Sequence, residues 1–396
     1  MLSVDFASAN GNVIIKGNLQ NAGTLNLASG KGDNSIFKIA GNITQTSTGL
    51  ITETSTGLPS IELNGTSAQN VSIAGFITDS VTFILNNPAG ATLLAPLSLS
   101  YKLILQNGQL TTSATYLLTL QNGCILQADS TSATSFVNGP MKKAGLSHKD
   151  YSLFPVGKNN IQRWLELKNA TGNYTVEYIR SDPHILSIAN DPTIDHISGL
   201  EYWTIKADAA PIPSASIVLS FDKVNSGGVS NMAALLVARL KGTNWANLGN
   251  GGITGTAATN GSVITNAAVT DFNTGTNDYF TLGTNISYGN PLPLPDPVPE
   301  SRPAPQQDVS FTKLLPFAPT VVQTNTATLT VLAAKDESIH IVITNQAGQI
   351  VSAPSFSVIK GKNRLLLNVQ TLTPGIYQAT GYTSSGLTNT VRCIKL

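Results

Sequence analysis

The chain has 396 residues, a formal net charge of +1 and only 11% charged residues, against roughly 25% in an ordinary soluble domain. This length allows two or three domains, each with its own core. The near-zero charge, without any long run of Lys or Arg, excludes an electrostatic footprint for nucleic acid or an anionic membrane, and no stretch approaches the roughly 20 apolar residues of a membrane span.

Residues 1–135 contain short apolar segments that repeat along the chain. Ile15–Leu19 recurs as Ile39–Ile43 at a spacing of 24 residues, and Leu103–Gly108 recurs as Leu118–Gly123 at a spacing of 15. Alternating apolar residues that run into an Asn-Gly turn are typical of short strands, because Asn and Gly both tolerate positive φ. Uncharged repeats of this length indicate β-coils that bury their faces against neighbouring turns. We therefore predict a repetitive, β-solenoid-like ladder here.

The composition then changes twice. Residues 136–289 carry many aromatic residues in alternating segments such as Tyr174–Ile179 and Ser216–Phe221, a pattern that predicts a β-sandwich. Residues 290–307 have proline at nearly every second position, which predicts a polyproline II linker rather than a ligand for a proline-binding module. Short strands between tight turns make residues 308–396 a small Ig-like β-sandwich. The predicted fold class is therefore all-β.

No catalytic constellation is visible in the sequence. The histidines and cysteines show no metal-ligand spacing, and there is neither a glycine-rich phosphate loop nor a Gly-x-Ser-x-Gly elbow. Carboxylates are sparse in the ladder, and the first arginine, Arg163, lies beyond it. Because glycoside hydrolysis usually needs paired carboxylates, we predict that the protein is not an enzyme and uses no cofactor. Cys124 and Cys393 lie far apart in sequence, so we expect no disulfide between them. The four histidines are His148, His184, His196 and His340.

One loop offers a candidate metal site. Asp182, Asp191 and Asp195 place three carboxylates in a short stretch, and oxygen ligands of this kind suit Ca²⁺. The alternative, which we favour, is a solvated loop with Asp-Pro turns. We therefore predict no catalytic, cofactor-binding or metal-binding residues, with these three aspartates as the calcium alternative.

Three tryptophans raise the question of a sugar-stacking platform, since aromatic faces suit carbohydrate rings. Trp164, Trp203 and Trp245 each lie among apolar strand residues, where a core position is the default. We therefore expect all three in the core.

Four segments of the final unit form a familiar pattern: Asn345–Val351, Lys360–Asn363, Leu372–Tyr377 and the last strand, Val391–Leu396. With these segments the unit resembles the C-terminal sorting domain of proteins exported by the type IX secretion system of Bacteroidota. Such domains often open with a Tyr-Pro-Asn-Pro-like segment, where this chain has Leu315–Pro319. The resemblance implies export and display at the cell surface, with the secretion machinery as a partner.

The middle region is similar to a module common in the same secreted proteins. The similarity lies in five segments taken in order, and it implies no activity. The segments are Phe136–Lys143, Phe154–Lys158, Glu201–Trp203, Lys241–Trp245 and Phe280–Gly283.

These observations lead to one expected function and two alternatives. We expect a non-catalytic, secreted or cell-surface structural protein, exported by a type IX-like pathway, that binds no nucleic acid and inserts into no membrane. The alternatives are a self-assembling subunit of a surface filament or layer, and an adhesin or glycan-binding module. The segment Met1–Phe6 lacks the charged and apolar regions of a signal peptide, so for an exported protein we do not expect Met1 to be the natural start.

Overall fold

The computed structural model has a nearly all-β chain, with 55% of residues in strands. It describes residues 2–3, 11–28, 32–128, 134–149, 152–286, 290, 292, 311–317, 320–384 and 386–396. Within these residues there is no α-helix, and the only helical turns are the 3₁₀ turns Pro183–Ile185 and Met232–Ala234. No helix of this part of the chain is long and apolar enough to cross a membrane. The chain forms two compact units, Met1–Pro297 and Val298–Leu396.

The first unit begins with a parallel β-solenoid of about five turns, which confirms the predicted ladder. A full turn contributes one strand to each of three faces, and strands of successive turns pair in parallel. The solenoid strands are β1 (Leu2–Ser3), β2 (Asn12–Ile15), β3 (Leu19–Asn21), β4 (Thr24–Asn26), β5 (Ile36–Ile39), β6 (Ile43–Gln45), β7 (Leu50–Thr52), β8 (Ser60–Leu63), β9 (Gln69–Ile73), β10 (Phe76–Ile77), β11 (Thr82–Asn86), β12 (Ala91–Leu93), β13 (Leu97–Leu99), β14 (Lys102–Asn107), β15 (Gln109–Thr111), β16 (Leu118–Leu120) and β17 (Ile125–Ala128).

The 24-residue repeat corresponds to one turn of the solenoid. Ile15 pairs with Ile39, and Ile39 with Leu63, so each apolar side chain stacks on its counterpart in the next turn. Ile39 and Leu63 are completely buried. Apolar side chains stacked in this way remove each other from water, which is the main favourable contribution to folding.

The 15-residue repeat does not correspond to a turn. Its first copy forms β14 on one face of the solenoid, and its second copy forms β16 on another face of the same turn. Leu103 of β14 pairs with Phe83 and Leu126 in the neighbouring turns, not with Leu118. The two copies are similar because every face needs the same sequence: two inward apolar residues followed by a corner.

The sandwich of the first unit is built around one long strand. Strand β23 pairs through its first half with β27 and through its second half with β26, so the sheet divides into two branches. Both branches bury side chains in one core, for example Trp203 and Val237 from one and Phe221 and Val263 from the other. The strands are β18 (Phe136–Asn138), β19 (Met141–Lys149), β20 (Ser152–Phe154), β21 (Val156–Lys158), β22 (Ile161–Gln162), β23 (Leu165–Ile179), β24 (Ala189–Asn190), β25 (His196–Ile197), β26 (Tyr202–Ala207), β27 (Ser214–Asp222), β28 (Leu235–Lys241), β29 (Asn244–Asn247), β30 (Gly252–Gly255), β31 (Asn260–Ile264) and β32 (Asn277–Thr284).

The solenoid and the sandwich share strands and a core. Strands β18 and β21 extend one solenoid face, and β19 pairs with β16 on one side and with β23 on the other. The domain boundary predicted at residue 135 thus falls inside a single compact unit. Continuous sheets of this kind hold the two regions in a fixed relation.

The second unit has two sheets packed on one core. The smaller sheet has the order β33-β35-β39, and the larger contains β34, β41, β40, β36 and β37, with β38 paired to β36. The strands are β33 (Lys313–Leu314), β34 (Val321–Val322), β35 (Thr326–Ala333), β36 (Glu337–Asn345), β37 (Ile350–Ser352), β38 (Ser355–Val358), β39 (Gly361–Asn368), β40 (Gly375–Thr383) and β41 (Gly386–Lys395).

The linker predicted at 290–307 lies outside the described residues apart from Asn290 and Leu292. Both of these are buried in the first unit, where the carbonyl of Leu292 accepts a hydrogen bond of 3.1 Å from the N–H of Gly199. The division between the two units falls after Pro297, within the predicted linker.

Candidate functional site

The described residues hold no group of three or more His, Cys, Asp or Glu side chains placed to bind a metal ion. His184 Nδ1 lies 2.6 Å from Asp182 Oδ1, and His196 Nδ1 lies 2.7 Å from Asp195 Oδ2. His340 is exposed on β36. The side chain of the fourth histidine lies outside the described part of the chain. The described histidines therefore do not lie together in one cluster.

The three calcium candidates are not brought together. Asp182 caps a 3₁₀ turn by accepting a hydrogen bond of 2.9 Å from the N–H of His184. Asp191 accepts from the hydroxyl and the N–H of Thr193 at 2.6 and 2.9 Å, and these bonds lower the pKa of Asp191. The third carboxylate, Asp195, is the partner of a histidine. All three carboxylates thus bond to nearby residues of the loop. This arrangement corresponds to a loop with aspartate turns and not to a shared calcium site.

The three tryptophans differ in burial. Trp203 and Trp245 are completely buried, and their indole N–H groups donate hydrogen bonds of 2.9 Å to the carbonyls of Arg163 and Ser187. Trp164 is only half-buried, and its N–H has no hydrogen-bond partner among the described residues. The predicted core position holds for two of the tryptophans and not for Trp164.

Trp164 lines a hollow of about 100 Å³ in the first unit, just before β23. Four of the other lining side chains are amides, and one is a half-buried carboxylate, Asp222. Asp222 Oδ1 accepts from the N–H groups of Val224 and Asn225 at 2.9 and 2.7 Å, whereas Oδ2 has no hydrogen bond within the described residues. The amides of the hollow are Asn160, Gln162, Asn225 and Asn260.

A buried ion pair supports the floor of this hollow. Arg163 donates from Nε and Nη2 to the two carboxylate oxygens of Glu201, at 2.9 and 3.2 Å. Ser226 and Tyr178 donate to the same carboxylate at 2.7 and 2.8 Å. Burial, together with the Glu201 charge, raises the pKa of Tyr178, which keeps the phenol protonated as a donor. Arg180 Nη1 also lies 3.4 Å from Glu201 Oε2, so this carboxylate serves two guanidinium groups, and the cation beside Trp164 is held by hydrogen bonds within the protein.

A second, larger groove adjoins the hollow. It has a volume of about 470 Å³, runs along the corners of the solenoid turns and shares Asn160 with the hollow. Small residues such as Gly90 and Gly108 line it, with Gln109 and Thr111 as polar groups. A Cβ on Gly108 would lie 1.8 Å from the carbonyl oxygen of Asn87 in the preceding turn. Close stacking of the turns thus keeps this part of the groove free of side chains.

Another cavity of the first unit, of about 320 Å³, is lined by a thiol, an ammonium group and a carboxylate. It is lined by Cys124, Lys143 and Glu166 among others. Burial raises the pKa of the Cys124 thiol to about 11, although the charge of Lys143 lowers it. Burial also raises the pKa of Glu166. A thiol with so high a pKa is a poor nucleophile at neutral pH, because the thiolate is the reactive form.

The sequence contained little that could have identified the hollow. Asp222 and Asn225 belong to a turn in which the aspartate accepts from its own following backbone, a pattern that indicates only a turn. Asn160 and Asn260 are a hundred positions apart and both line the hollow, which Asn260 reaches because β31 pairs with β27 and places it opposite Asp222. That pairing is a property of the fold and not of any local spacing.

Comparison with known proteins identifies no family for the chain. No family model and no curated protein matches it. Among solved structures, a β-glucuronidase from glycoside hydrolase family 2 aligns with 55% of this chain and 29% of its own length, at 12% identity and a TM-score of 0.14. At this TM-score the similarity carries no argument about fold or function.

Proposed function

We propose that the chain is a non-catalytic structural protein of the cell exterior. The observation that carries this proposal is the continuous core of the first unit, in which sheets pass from solenoid to sandwich without a break. Two buried ion pairs lie in the interior of this unit and stabilise it: Arg163 with Glu201, and Arg239 with Asp278. Such an architecture suits a rigid spacer or display platform.

Incubation of the purified protein with neutral and acidic polysaccharides tests the non-catalytic part. We expect no release of reducing ends or unsaturated products beyond a buffer blank. Sustained release of such products, at a rate that rises with the protein concentration, would overturn this part of the proposal.

Export by a type IX-like pathway is the second part. It is supported by the resemblance of the final unit to sorting domains. It is also supported by the hydrogen bonds that the resembling segments make in the structure. Asn345 Oδ1 accepts from the N–H groups of Ala347 and Gln349, both at 3.0 Å, to close the turn between β36 and β37. Tyr377 donates to the carbonyl of Thr373 at 2.7 Å and so holds the entry to β40. These contacts are what a compact, separately folding signal domain requires.

The test is surface detection in a Bacteroidota strain with a working type IX system. We expect the full chain to reach the surface and a chain lacking residues 308–396 to stay inside. The control is the full chain in an isogenic strain without the secretion system, where it should also stay inside. Surface delivery of the truncated chain contradicts the sorting role.

A second candidate function, self-association, is favoured by the first described turn of the solenoid. In β2 and β3, Val13, Ile15 and Leu19 are only partly buried, whereas Ile39 and Ile43 in the next turn are buried. Among the described residues β2 pairs only with β5, and a second copy that paired with its other edge would meet uncharged backbone. Analytical ultracentrifugation of wild type and Ile14→Lys tests this, because Ile14 is an exposed residue of β2 and a charge on an edge strand opposes pairing. A concentration-dependent dimer should be lost in the variant, and a monomeric wild type contradicts it.

A further inference from the structure

We propose that the Trp164 hollow, with the groove that adjoins it at Asn160, binds a neutral oligosaccharide. The proposal rests on the geometry of the first unit and is independent of how the protein is exported.

The first argument is the contrast among the three tryptophans. Two are sealed in the core with their N–H groups bonded to carbonyls, as buried tryptophans generally are. Trp164 has the same large apolar ring, yet it is half-buried, lines a cavity and has an N–H without a partner in the described chain. An aromatic surface with a free donor matches the alternating apolar faces and hydroxyl edges of a sugar ring.

The second argument is the polar surroundings of the ring. Asn260 offers an amide group, and Asp222 Oδ2 offers an acceptor without a hydrogen bond inside the described chain. Asn160 and Asn225 keep one amide atom each for a ligand, because Asn160 Oδ1 accepts from Gln109 and Asn225 Nδ2 donates to Asp222. Amides and carboxylates can donate to or accept from neighbouring hydroxyl groups. Ser220 also lines the hollow; it is 3% exposed, and its Oγ has no hydrogen-bond partner among the described residues. A buried hydroxyl without a partner is costly, and a ligand hydroxyl reaching it would remove that cost.

The third argument selects neutral over acidic ligands. Among the described lining residues, Arg163 is the only cationic one of the hollow, and the larger groove has none. Its guanidinium is 2% exposed and is held by the completely buried Glu201. Uronic acids, sulfated sugars and phosphates are bound through free guanidinium or ammonium groups, which neither cavity supplies. The carboxylate of Asp222 would moreover repel an anion.

The fourth argument concerns ligand length. A volume of about 470 Å³ is within the range of pockets that bury small organic ligands. Because the hollow and the groove share Asn160, a chain of several sugar rings can place one ring on Trp164 and continue along the solenoid corners. The small residues of the groove, such as Gly90 and Ala91, leave room for the chain.

The test is titration calorimetry with named hexasaccharides: cellohexaose, maltohexaose, xylohexaose, mannohexaose and laminarihexaose, with hexagalacturonate as the acidic probe. We expect at least one neutral probe to bind and hexagalacturonate not to bind. Trp164→Leu should weaken that binding roughly tenfold or more, the loss expected when an aromatic stacking surface is removed. Phe76→Ala is the matched control, since Phe76 is 67% exposed on another face of the solenoid and should leave affinity unchanged.

Two further measurements protect the test from a folding artefact. Asn260→Ala removes an exposed side chain of the hollow and should weaken binding at an unchanged melting temperature. In wild type, acrylamide should quench mainly Trp164, because the other two tryptophans are buried, and the bound probe should protect it. The proposal is overturned if no neutral probe binds, if only the acidic probe binds, or if binding neither depends on Trp164 nor protects it.

Discussion

The solenoid and the sandwich belong to one compact unit but satisfy their internal polar groups by different means. The solenoid has no arginine, and amide side chains such as Gln69 and Asn87 bond to backbone and to each other. The sandwich instead buries guanidinium–carboxylate pairs, Arg163 with Glu201 and Arg239 with Asp278.

The difference follows from repetition. In a solenoid a position recurs about one turn later, so a neutral amide can bond to the main chain of the neighbouring turn. Asn18 and Asn42 each accept from an N–H one turn on, at 2.8 Å in both cases. In the sandwich the strands diverge from β23, and the interior there holds a charged pair contributed by distant segments. We therefore expect the stability of the two regions to respond differently to the removal of a charge, to an added methyl group between turns, and to salt.

The largest effect is expected from Glu201→Gln. Removing this charge leaves Arg163 buried without a counter-ion, which costs about 3–5 kcal/mol when a buried pair is broken. Urea unfolding followed by tryptophan fluorescence measures it, because all three tryptophans lie in the first unit. Asp208→Asn, which breaks the half-exposed pair with Lys142, is the matched control and should cost less than about 1 kcal/mol. Equal effects of the two variants would contradict the role given to the buried pair.

The solenoid should respond instead to a single methyl group at a corner. Gly108 and Gly123 have nearly the same φ, +82° and +83°, but a Cβ at Gly108 meets Asn87 O at 1.8 Å whereas nothing lies within 4 Å at Gly123. Alanine at either position carries the cost of positive φ, about 1–2 kcal/mol. We expect Gly108→Ala to cost a further 1–3 kcal/mol or so for the displaced backbone. Similar unfolding free energies for both variants would rule out tight stacking of the turns.

A smaller effect should follow from interrupting the asparagine ladder. Asn42→Ala removes the acceptor of the Asn70 N–H, which is close to solvent and can bond to water instead. The expected cost is about 0.5–1 kcal/mol, the net value of one such hydrogen bond. Asn42→Asp keeps the acceptor and should recover most of the loss at pH 7. If Asn42→Asp lowered the free energy of unfolding as much as Asn42→Ala, the hydrogen bond to the Asn70 N–H would not explain the contribution of Asn42.

Particular residues show how far the sequence could predict this structure. The pairing of Ile15 with Ile39 was predictable, because a repeated apolar position in a neutral segment can be buried only against its own copy. The second repeat suggested the wrong spacing, since the same short motif suits every face of a turn. The pair Arg163–Glu201 was not visible, because it joins residues 38 positions apart through the division of the sheet at β23.

The candidate site was less predictable than the fold. Trp164, Trp203 and Trp245 occur in similar apolar contexts, and only the tertiary structure leaves one of them at a cavity. Alternation along a strand indicates which side chains share a face, but whether that face is covered depends on segments elsewhere in the chain.

The smallest expected effect is on the pH dependence of stability, and it involves two carboxylates, one in each region. The pKa of each is lowered in the folded protein. Asp79 of the solenoid accepts hydrogen bonds from the hydroxyls of Thr52 and Thr78, which lower its pKa. Asp271 of the sandwich accepts from Lys241 and Arg239, which lower its pKa from 3.8 to about 2. In both cases the folded pKa lies below the unfolded one, so the stabilisation is present above the unfolded pKa and is lost as pH falls through the folded pKa. For Asp271, with 62% of its side chain exposed, solvent screening reduces it to a few tenths of a kcal/mol.

Salt should separate these two carboxylates. Raising the ionic strength from about 0.01 to about 1 M shortens the screening length from about 30 to about 3 Å, which weakens attraction to exposed cations but hardly alters bonds from neutral hydroxyls. We therefore expect the pKa of Asp271 to rise towards 3.8 in high salt while that of Asp79 stays nearly constant. Carbon-detected NMR titration of the two carboxyl groups measures both in one sample, with Asp271→Asn and Asp79→Asn to assign the signals. Because Lys241 is itself about half exposed, its contribution to Asp271 should be lost first. If the two pKa values depended equally on salt, the solenoid and the sandwich would not differ in how they stabilise surface carboxylates. The difference between the two regions would then be limited to their buried polar groups.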